Sequence, residues 1–194
     1  TIQKRTDFRC RVVRPADRSA PFNYSHLMNL ALPLVETPLI LHLNNDVNAL
    51  ESGWLDDMVG WVTQPGVGVV GAKLVYPDKT LNHCGIIIGP HGGLADTPFV
   101  KMDENEVRAF DWHSAARDVS AVTGACLLTH TDLYRELGGF DDQFFASHED
   151  VDLSYRARLR GYRCRYVSDA TVRHHGSATL GTVSARAVFQ GQRN

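Results

Sequence analysis

Helix-like and strand-like patterns alternate along this chain, and that alternation restricts its fold more than any other feature of the sequence. Apolar residues at helical spacing predict a helix over 22–36, which Pro33 should kink or shorten. The apolar run Leu39–Leu43 predicts a buried strand, and a second helix, capped by Ser52, is expected before a strand at 67–76. Alternation of this kind favours an α/β sheet covered on both faces over an all-β fold or a helical bundle.

The second half continues the alternation around one long irregular segment. Three consecutive isoleucines within 85–89 predict another buried strand, whereas 90–112 has no clear period and is more typical of a functional loop. Thr131 should cap a short helix, and a longer helix is expected over 148–160, ahead of an alternating strand at 162–167.

The composition is that of an ordinary globular domain and excludes several classes of function. The 194 residues include 20 Lys and Arg against 22 Asp and Glu, so there is no basic field that would neutralise the phosphates of a nucleic acid. No apolar stretch approaches the ~20 residues that cross a bilayer, and 1–18 lacks a signal core, so a cytoplasmic protein is expected. The four cysteines form no C-x-x-C pair, which favours buried free thiols over a zinc or redox motif.

A polar tripeptide, Asn44-Asn45-Asp46, directly follows the predicted strand Leu39–Leu43. In open α/β sheets, ligands bind at the carboxyl ends of strands, where diverging loops leave a crevice. One carboxylate flanked by two amides suits Mg²⁺ or Mn²⁺, which keep part of their coordination shell for phosphate oxygens. A ligand-free Asx turn fits the same residues, so the tripeptide alone leaves both interpretations open.

Three acids, Glu149, Asp150 and Asp152, lie in the first turn of the helix expected over 148–160. Acids favour helix N-termini by about 0.3 to 1 kcal/mol each, which explains one or two of them without any function. Three so close together repel one another, and packed carboxyls have pKa values that are driven apart. That property suits one of them for general-base work, an interpretation that stands beside the purely structural one.

A histidine pair, His174-His175, follows the last predicted strand. A lone histidine more often fills a surface or a core than binds a ligand, but this pair falls in a turn rather than on an amphipathic face. Imidazole is a common metal ligand. One of the two, placed opposite Asp46, would complete a sparse divalent-cation site whose other positions are held by a diphosphate.

Six short motifs occur in a fixed order between residue 21 and about residue 181. Together they resemble the family 2 glycosyltransferases of GT-A fold, especially the bacterial group that acts on surface polysaccharides and includes rhamnosyltransferase-like members. The motifs are P-F-N-Y-S at 21–25, L-N-N-D-V at 43–47, V-T-G-A-C at 122–126, G-G-F-D-D at 138–142, H-E-D-V-D-L at 148–153 and R-H-H-G-S-A-T at 173–179.

The resemblance implies a role for each matching position. Asp46 occupies the last position of the family's D-x-D-like motif, which binds the cation that bridges the donor diphosphate. His174 is implied as a further metal ligand, with His175 as the fallback, and Asp150 as the general base. The motif at 44–46 has amides where many relatives have acids, which implies weak metal affinity until the nucleotide supplies its phosphates. The positions implied to contact substrate are Asn29, Asn44, Asn45, Gly124, Ala125, Glu149 and Asp152.

The resemblance also implies a reaction. A sugar would pass from a nucleoside-diphosphate donor to a hydroxyl of a glycan or lipid-linked acceptor, by one in-line displacement that inverts the anomeric centre, with Mn²⁺ or Mg²⁺ as cofactor. The expected location is the cytoplasm or the inner face of the membrane. The alternative is a catalytically incompetent GT-A remnant that binds a glycan or a protein. A metallohydrolase is disfavoured because the chain lacks H-x-H and H-E-x-x-H clusters.

The N-terminal part departs from the family, because nothing before Pro21 resembles the strand and β-α unit that hold the nucleoside base in relatives. We therefore expect 1–20 to form an arm or an edge strand around 8–13, 21–181 to form an N-terminally truncated GT-A domain, and 182–194 to form a tail. A sheet that lacks two strands exposes an edge. A homodimer, a partner or the substitute strand is expected to cover that edge.

Overall fold

The computed structural model describes residues 9–17, 19–89, 95–107, 111–144 and 147–176. The tail expected at 182–194 lies outside these residues, as does 177–179 of the last motif. Helices α1 to α5 are Tyr24–Ala31, Trp54–Val62, Glu104–Val107, Thr131–Glu136 and Glu149–Leu159, and a 3₁₀ turn covers Leu32–Leu34. Strands β1 to β9 are Leu39–Leu43, Val47–Ala49, Val67–Val75, Leu81–His83, Ile87–Ile88, Ala95–Asp96, Arg117–Val119, Cys126–His130 and Arg163–His174.

Seven of the described strands form one mixed sheet. Its order is β1-β8-β3-β9-β2, with β4 beside β3 and β7 beside β9. Strands β3 and β9 run parallel, and the other neighbours are antiparallel. The predicted α/β class with a mixed sheet is confirmed.

Two apolar clusters cover the two faces of this sheet, because alternate residues of a strand point to opposite faces. Val70 and Leu128 pack with α2 on one face. Val69 and Leu127, their immediate neighbours in β3 and β8, pack with α4 and α5 on the other. Both faces are therefore buried, as the alternation of helices and strands predicted.

Strand β1 has its predicted bounds but not its predicted environment. Among the described strands it pairs only with β8, and its last residue, Leu43, is 44% exposed. The prediction of a fully buried strand is wrong because an edge strand has one neighbour instead of two. Residues 9–13 form no strand, and Phe8 lies outside the described residues. That a homodimer or partner covers β1 stays a prediction, which size-exclusion chromatography with light scattering tests.

Two predicted helix caps are wrong by one residue. Thr131 is the first residue of α4 rather than its cap, because His130 occupies the N-cap position. Asn23 caps α1 by accepting a hydrogen bond from the backbone N–H of His26 at 2.9 Å, and the helix gives way to the 3₁₀ turn around Pro33, as expected. The predicted cap of α2 at Ser52 is one residue early, because Gly53, with φ of 89°, makes the entry turn. Gly161, with φ of 85°, follows α5.

The segment around the three isoleucines forms less strand than predicted. Only Ile87–Ile88 is a strand, half-buried and paired with Ala95–Asp96 in a separate two-stranded sheet. Gly85 and Gly89, with φ of 97° and 124°, bound it, so the longer buried strand over 85–89 was wrong. The described parts of the loop that follows contain β6 and α3. None of the helices in the described ranges has the length and apolarity needed to span a membrane.

The sheet topology brings several polar segments to one edge. Because β1 and β3 are both antiparallel to β8, they run in the same direction, and β9 is parallel to β3. The carboxyl ends of these three strands therefore lie on one side, together with the segment that leads into β8. This is the edge where α/β sheets bind ligands.

Candidate functional site

A cleft of about 720 Å³ opens at the carboxyl-end edge of the sheet. The end of β1, the segment before β8, the start of α5 and the end of β9 all contribute to its walls. Residues far apart in the sequence thus meet in one cavity. The predicted site residues that line it are Asn44, Asn45, Asp46, Gly124, Ala125, Glu149, Asp150 and His174.

Asp46 and His174 face each other across the cleft wall. Asp46 Oδ1 lies 3.3 Å from His174 Nε2, and both side chains are largely buried. The backbone fixes this approach, because β2 pairs with the end of β9 and the N–H of His175 donates to the carbonyl of Asp46 at 3.0 Å. The topology therefore places the carboxylate and the imidazole together, as predicted.

Asn82 determines which ring nitrogen of His174 carries a proton. Its Oδ1 lies 2.9 Å from His174 Nδ1, and because an amide oxygen only accepts, Nδ1 must donate. Burial lowers the pKa of His174, and Asp46 offsets part of this shift, so the neutral ring is favoured. Nε2 then presents a lone pair toward the Asp46 carboxylate.

These two electron-pair donors fit a shared divalent cation. Adjacent ligands of an octahedral Mg²⁺ or Mn²⁺ lie about 3 Å apart, close to the separation of Asp46 Oδ1 and His174 Nε2. Asn82 also provides the outer hydrogen bond that orients metal-bound histidines. No group of three or more His, Cys, Asp or Glu side chains is placed to share a metal anywhere in the described chain. A cation here would depend on ligands from substrate.

A second polar cluster lies at the start of α5. Asp150 Oδ2 accepts the backbone N–H of Gly124 at 2.8 Å, and Oδ1 accepts that of Val151 at 2.8 Å. Glu149 is only 7% exposed, and its Oε2 has no hydrogen-bond partner among the described residues. Burial raises the pKa of both carboxyls, and the adjacent Asp150 adds to the rise of Glu149 to about 8.

At Gly124 the cleft has space for a methyl group that glycine does not fill. A Cβ there would lie 3.5 Å from Asp150 Cβ and 3.7 Å from Glu149 Oε1, which are ordinary van der Waals distances. The missing side chain therefore leaves open space beside the two carboxyls.

The wall contributed by α1 and its approach is largely apolar. Phe22, which is 54% exposed, Leu27 and Met28 line it. Tyr24 also lines it, and its hydroxyl donates to the carbonyl of Gly124 at 3.4 Å. The cleft thus has one polar side and one apolar side.

Three predicted residues lie elsewhere. Asn29 is absent from the cleft because Phe140 and its neighbours bind both ends of its amide. Asp152 is paired with Arg156 at 2.5 Å, on a side of α5 that does not face the cleft. His175 lines a separate pocket beside Tyr76 and Lys101.

Sequence reasoning missed two cleft residues on β4, Asn82 and His83. His83 is buried, and its Nε2 accepts the N–H of Gly85 at 3.2 Å and, weakly, that of Thr123 at 3.5 Å. Burial, with nearby positive charge, lowers its pKa to about 3, so it is neutral. The turn signal Pro77-Asp78 could have indicated their position, because a chain reversal there brings 81–83 back beside the end of β3.

Comparison with known proteins places the chain among glycosyltransferases. Residues 2–191 match the family described as "Glycosyltransferase like family 2". The chain is 34% identical to the O-antigen biosynthesis protein RfbC of Myxococcus xanthus over 160 residues, which is 82% of this chain and 12% of that protein. It is 29% identical over 163 residues to the pre-mycofactocin glycosyltransferase of Mycobacterium tuberculosis, 84% of this chain and 32% of the relative. The chain thus spans a third or less of these relatives.

Two solved structures share the fold. One is GalNAc-T7 with UDP, GalNAc and Mn²⁺, with a TM-score of 0.59 and 14% identity over 78% of this chain and 30% of that one. The other is the mannosyltransferase PcManGT of Pyrobaculum calidifontis with GDP-Man and Mn²⁺, with a TM-score of 0.57 and 17% identity over 86% and 39% of the two chains. The fold is GT-A-like.

Proposed function

Because the chain belongs to glycosyltransferase-like family 2, we propose that it moves a sugar from a nucleoside-diphosphate donor to a hydroxyl of a glycan or lipid-linked acceptor. The O-antigen relative supports a place in bacterial surface polysaccharide synthesis. We further propose that the reaction takes place in the cytoplasm or at the inner membrane face. One observation carries the proposal. A backbone-bound carboxylate, Asp150, lies in the same cleft as the Asp46–His174 pair.

Asp150 is the general base of this proposal. It lines the cleft, and its carboxylate takes the proton of the acceptor hydroxyl as that oxygen attacks the anomeric carbon. The N–H groups of Gly124 and Val151 hold the carboxylate in place without occupying all of its lone pairs. Attack opposite the leaving group in a single displacement inverts the anomeric configuration.

Asp46 and His174 are the residues that would hold a divalent cation. Such a cation supplies positive charge that neutralises the diphosphate. The two solved structures that share the fold contain Mn²⁺, which supports this cofactor class. The amides of Asn44 and Asn45, at the start of the same loop, line the cleft and offer uncharged hydrogen bonds to the donor.

The test measures donor binding and transfer separately. Thermal shift is measured with UDP-, GDP- and dTDP-sugars, each in the presence of Mn²⁺ or of EDTA. One donor should stabilise the chain when Mn²⁺ is present and should not do so in EDTA. A ligand at 100 times its Kd stabilises by about 2.7 kcal/mol. Asp150→Asn should bind that donor and lose transfer by at least about 100-fold.

Asp152→Asn is the matched control. It neutralises another acid of the same helix turn that lies outside the cleft. If Asp150→Asn transfers sugar as fast as Asp152→Asn does, Asp150 is not the base. Glycan binding that persists in EDTA and in Asp46→Ala, without transfer by the unaltered chain, would favour a binding module instead.

A further inference from the structure

Glu149 is a buried carboxyl that lacks the partners a charged group needs. Its side chain reaches the cleft wall near Gly124, it is 7% exposed, and its Oε2 has no hydrogen-bond partner among the described residues. Removing a carboxylate from water without replacing its hydrogen bonds is costly, and such groups keep their proton instead.

Asp150, the next residue, is also buried, and burial raises its pKa, but its oxygens have the hydrogen-bond partners that Oε2 of Glu149 lacks. Each of its two oxygens accepts a backbone N–H at 2.8 Å, one from Gly124 and one from Val151. Hydrogen bonds donated to a carboxylate favour its charged form. The negative charge of the pair therefore belongs on Asp150 and the proton on Glu149.

The surroundings of Glu149 supply little to reverse this distribution. Among the influences on its pKa, only a hydrogen bond from its own backbone N–H favours the charged form, and no lysine or arginine of the described chain contributes. The titratable groups that face the pair are Asp150 and His148 at the start of α5, Tyr24 from α1 and Tyr134 from α4. Both tyrosines have raised pKa values because they are buried, so they stay neutral.

We propose that Glu149 and Asp150 hold one proton between them in the resting site, carried by Glu149, and that Glu149 is a positioning residue for the transfer reaction. The proposal rests on the function proposed above. The neutral acid limits the negative charge beside an anionic donor, while Asp150 remains ionised and free to accept the acceptor proton. Glu149, rather than the base Asp150, therefore determines how many negative charges lie beside the donor.

This arrangement predicts a loss of donor affinity in alkali. Burial and the charge of Asp150 raise the pKa of Glu149 to about 8. Above that pH a second negative charge forms beside the donor site. If the donor binds only the singly charged pair, its KM should rise about tenfold between pH 7 and pH 9. Glu149→Gln, which mimics the neutral acid, should remove this rise.

The deciding experiment is an infrared titration of the whole chain, because it needs neither donor nor transfer. The carbonyl stretch of a protonated carboxylic acid should be present at pH 7, should disappear with a midpoint near pH 8, and should be missing from Glu149→Gln. Asp150→Asn removes the neighbouring charge, so it should lower the midpoint. Asp152→Asn should leave the titrating band as it is.

Two results would overturn the proposal. One is a spectrum of Glu149→Gln that still contains the titrating band. The other is a donor KM that rises equally in both proteins between pH 7 and pH 9. Absence of transfer in every protein would count against the proposed function alone, since the infrared band reports the proton directly.

Discussion

Replacing Asn29 by alanine tests whether this residue holds the fold, as its contacts indicate, or binds substrate, as the family motif implied. Its Nδ2 donates to the carbonyl of Phe140 at 2.7 Å and to Asp142 Oδ1 at 2.9 Å. Its Oδ1 accepts from the Tyr134 hydroxyl and from the N–H of Phe140, both at 3.0 Å. Tyr134 and Phe140 are 0% and 1% exposed, so their polar groups depend on the amide for hydrogen bonds.

The cost follows from the groups that alanine leaves unpaired. The N–H of Phe140 keeps a bond to the Tyr134 hydroxyl oxygen at 3.1 Å. The hydroxyl proton of Tyr134 and the carbonyl of Phe140 lose their partners, and each buried unpaired group costs about 1 to 3 kcal/mol. We expect Asn29→Ala to lower the free energy of unfolding by about 2 to 5 kcal/mol, and Tm by about 5 to 15 °C.

Thermal unfolding followed by circular dichroism measures this loss. Asn105→Ala is the control, because this exposed amide bonds to nearby Asp103 and to no other described residue, and its Tm should shift by no more than about 2 °C. Donor affinity, measured well below Tm, should be retained in Asn29→Ala. A Tm equal to that of the control, together with lost donor binding, would refute the structural role and restore the substrate-binding one.

Three further predictions address acid stability, the cleft and the cation. Burial lowers the pKa of His42 from 6.5 to about 4, so the unfolded chain binds a proton at higher pH than the folded chain does, and stability is lost as pH falls from 6.5 through 4. In urea titrations at pH 7 and pH 4, His42→Leu should remove about 3 kcal/mol of that loss. A loss of stability between the two pH values that is equal in His42→Leu and the unaltered chain would contradict this. Gly124→Ala should keep Tm within about 2 °C, because the added methyl group fits at ordinary van der Waals distances. The same methyl group narrows the cleft, so the KM for the donor should rise. An unaltered KM would show that the sugar lies elsewhere. His174→Ala should raise the Mn²⁺ concentration for half-maximal donor binding by at least about tenfold, and Asn82→Ala should raise it less; no rise in either would contradict a cation at this pair.

Local features of the sequence were sufficient for several parts of the molecule. The bounds of β1 and the near-complete extent of α5 follow from runs and caps of adjacent residues. The placement of Asp46 after a strand and of Asp150 in the first turn of a helix follows in the same way. Because ligands collect at the carboxyl ends of α/β strands, these positions indicated the site before any contact was known.

Features that depend on distant partners were not accessible in this way. Asn82 binds His174 across 92 positions of sequence, and no local pattern announces that contact. Likewise, Asn29 matches a family position but is bound to the segment around Phe140, 111 residues away. Residue type showed what each side chain is able to bind, while the fold determined which partner it met.

The sequence by itself determined the alternation of helices and strands, the family and eight of the residues that line the cleft, because these depend on periodicity, capping and short motifs. Only the tertiary structure decided that β1 is an edge strand, that Asp46 and His174 face each other at 3.3 Å, and that Glu149 is buried without a partner. Strand order, burial and charge environment are set by pairing between segments far apart in the chain, where local propensity carries no information.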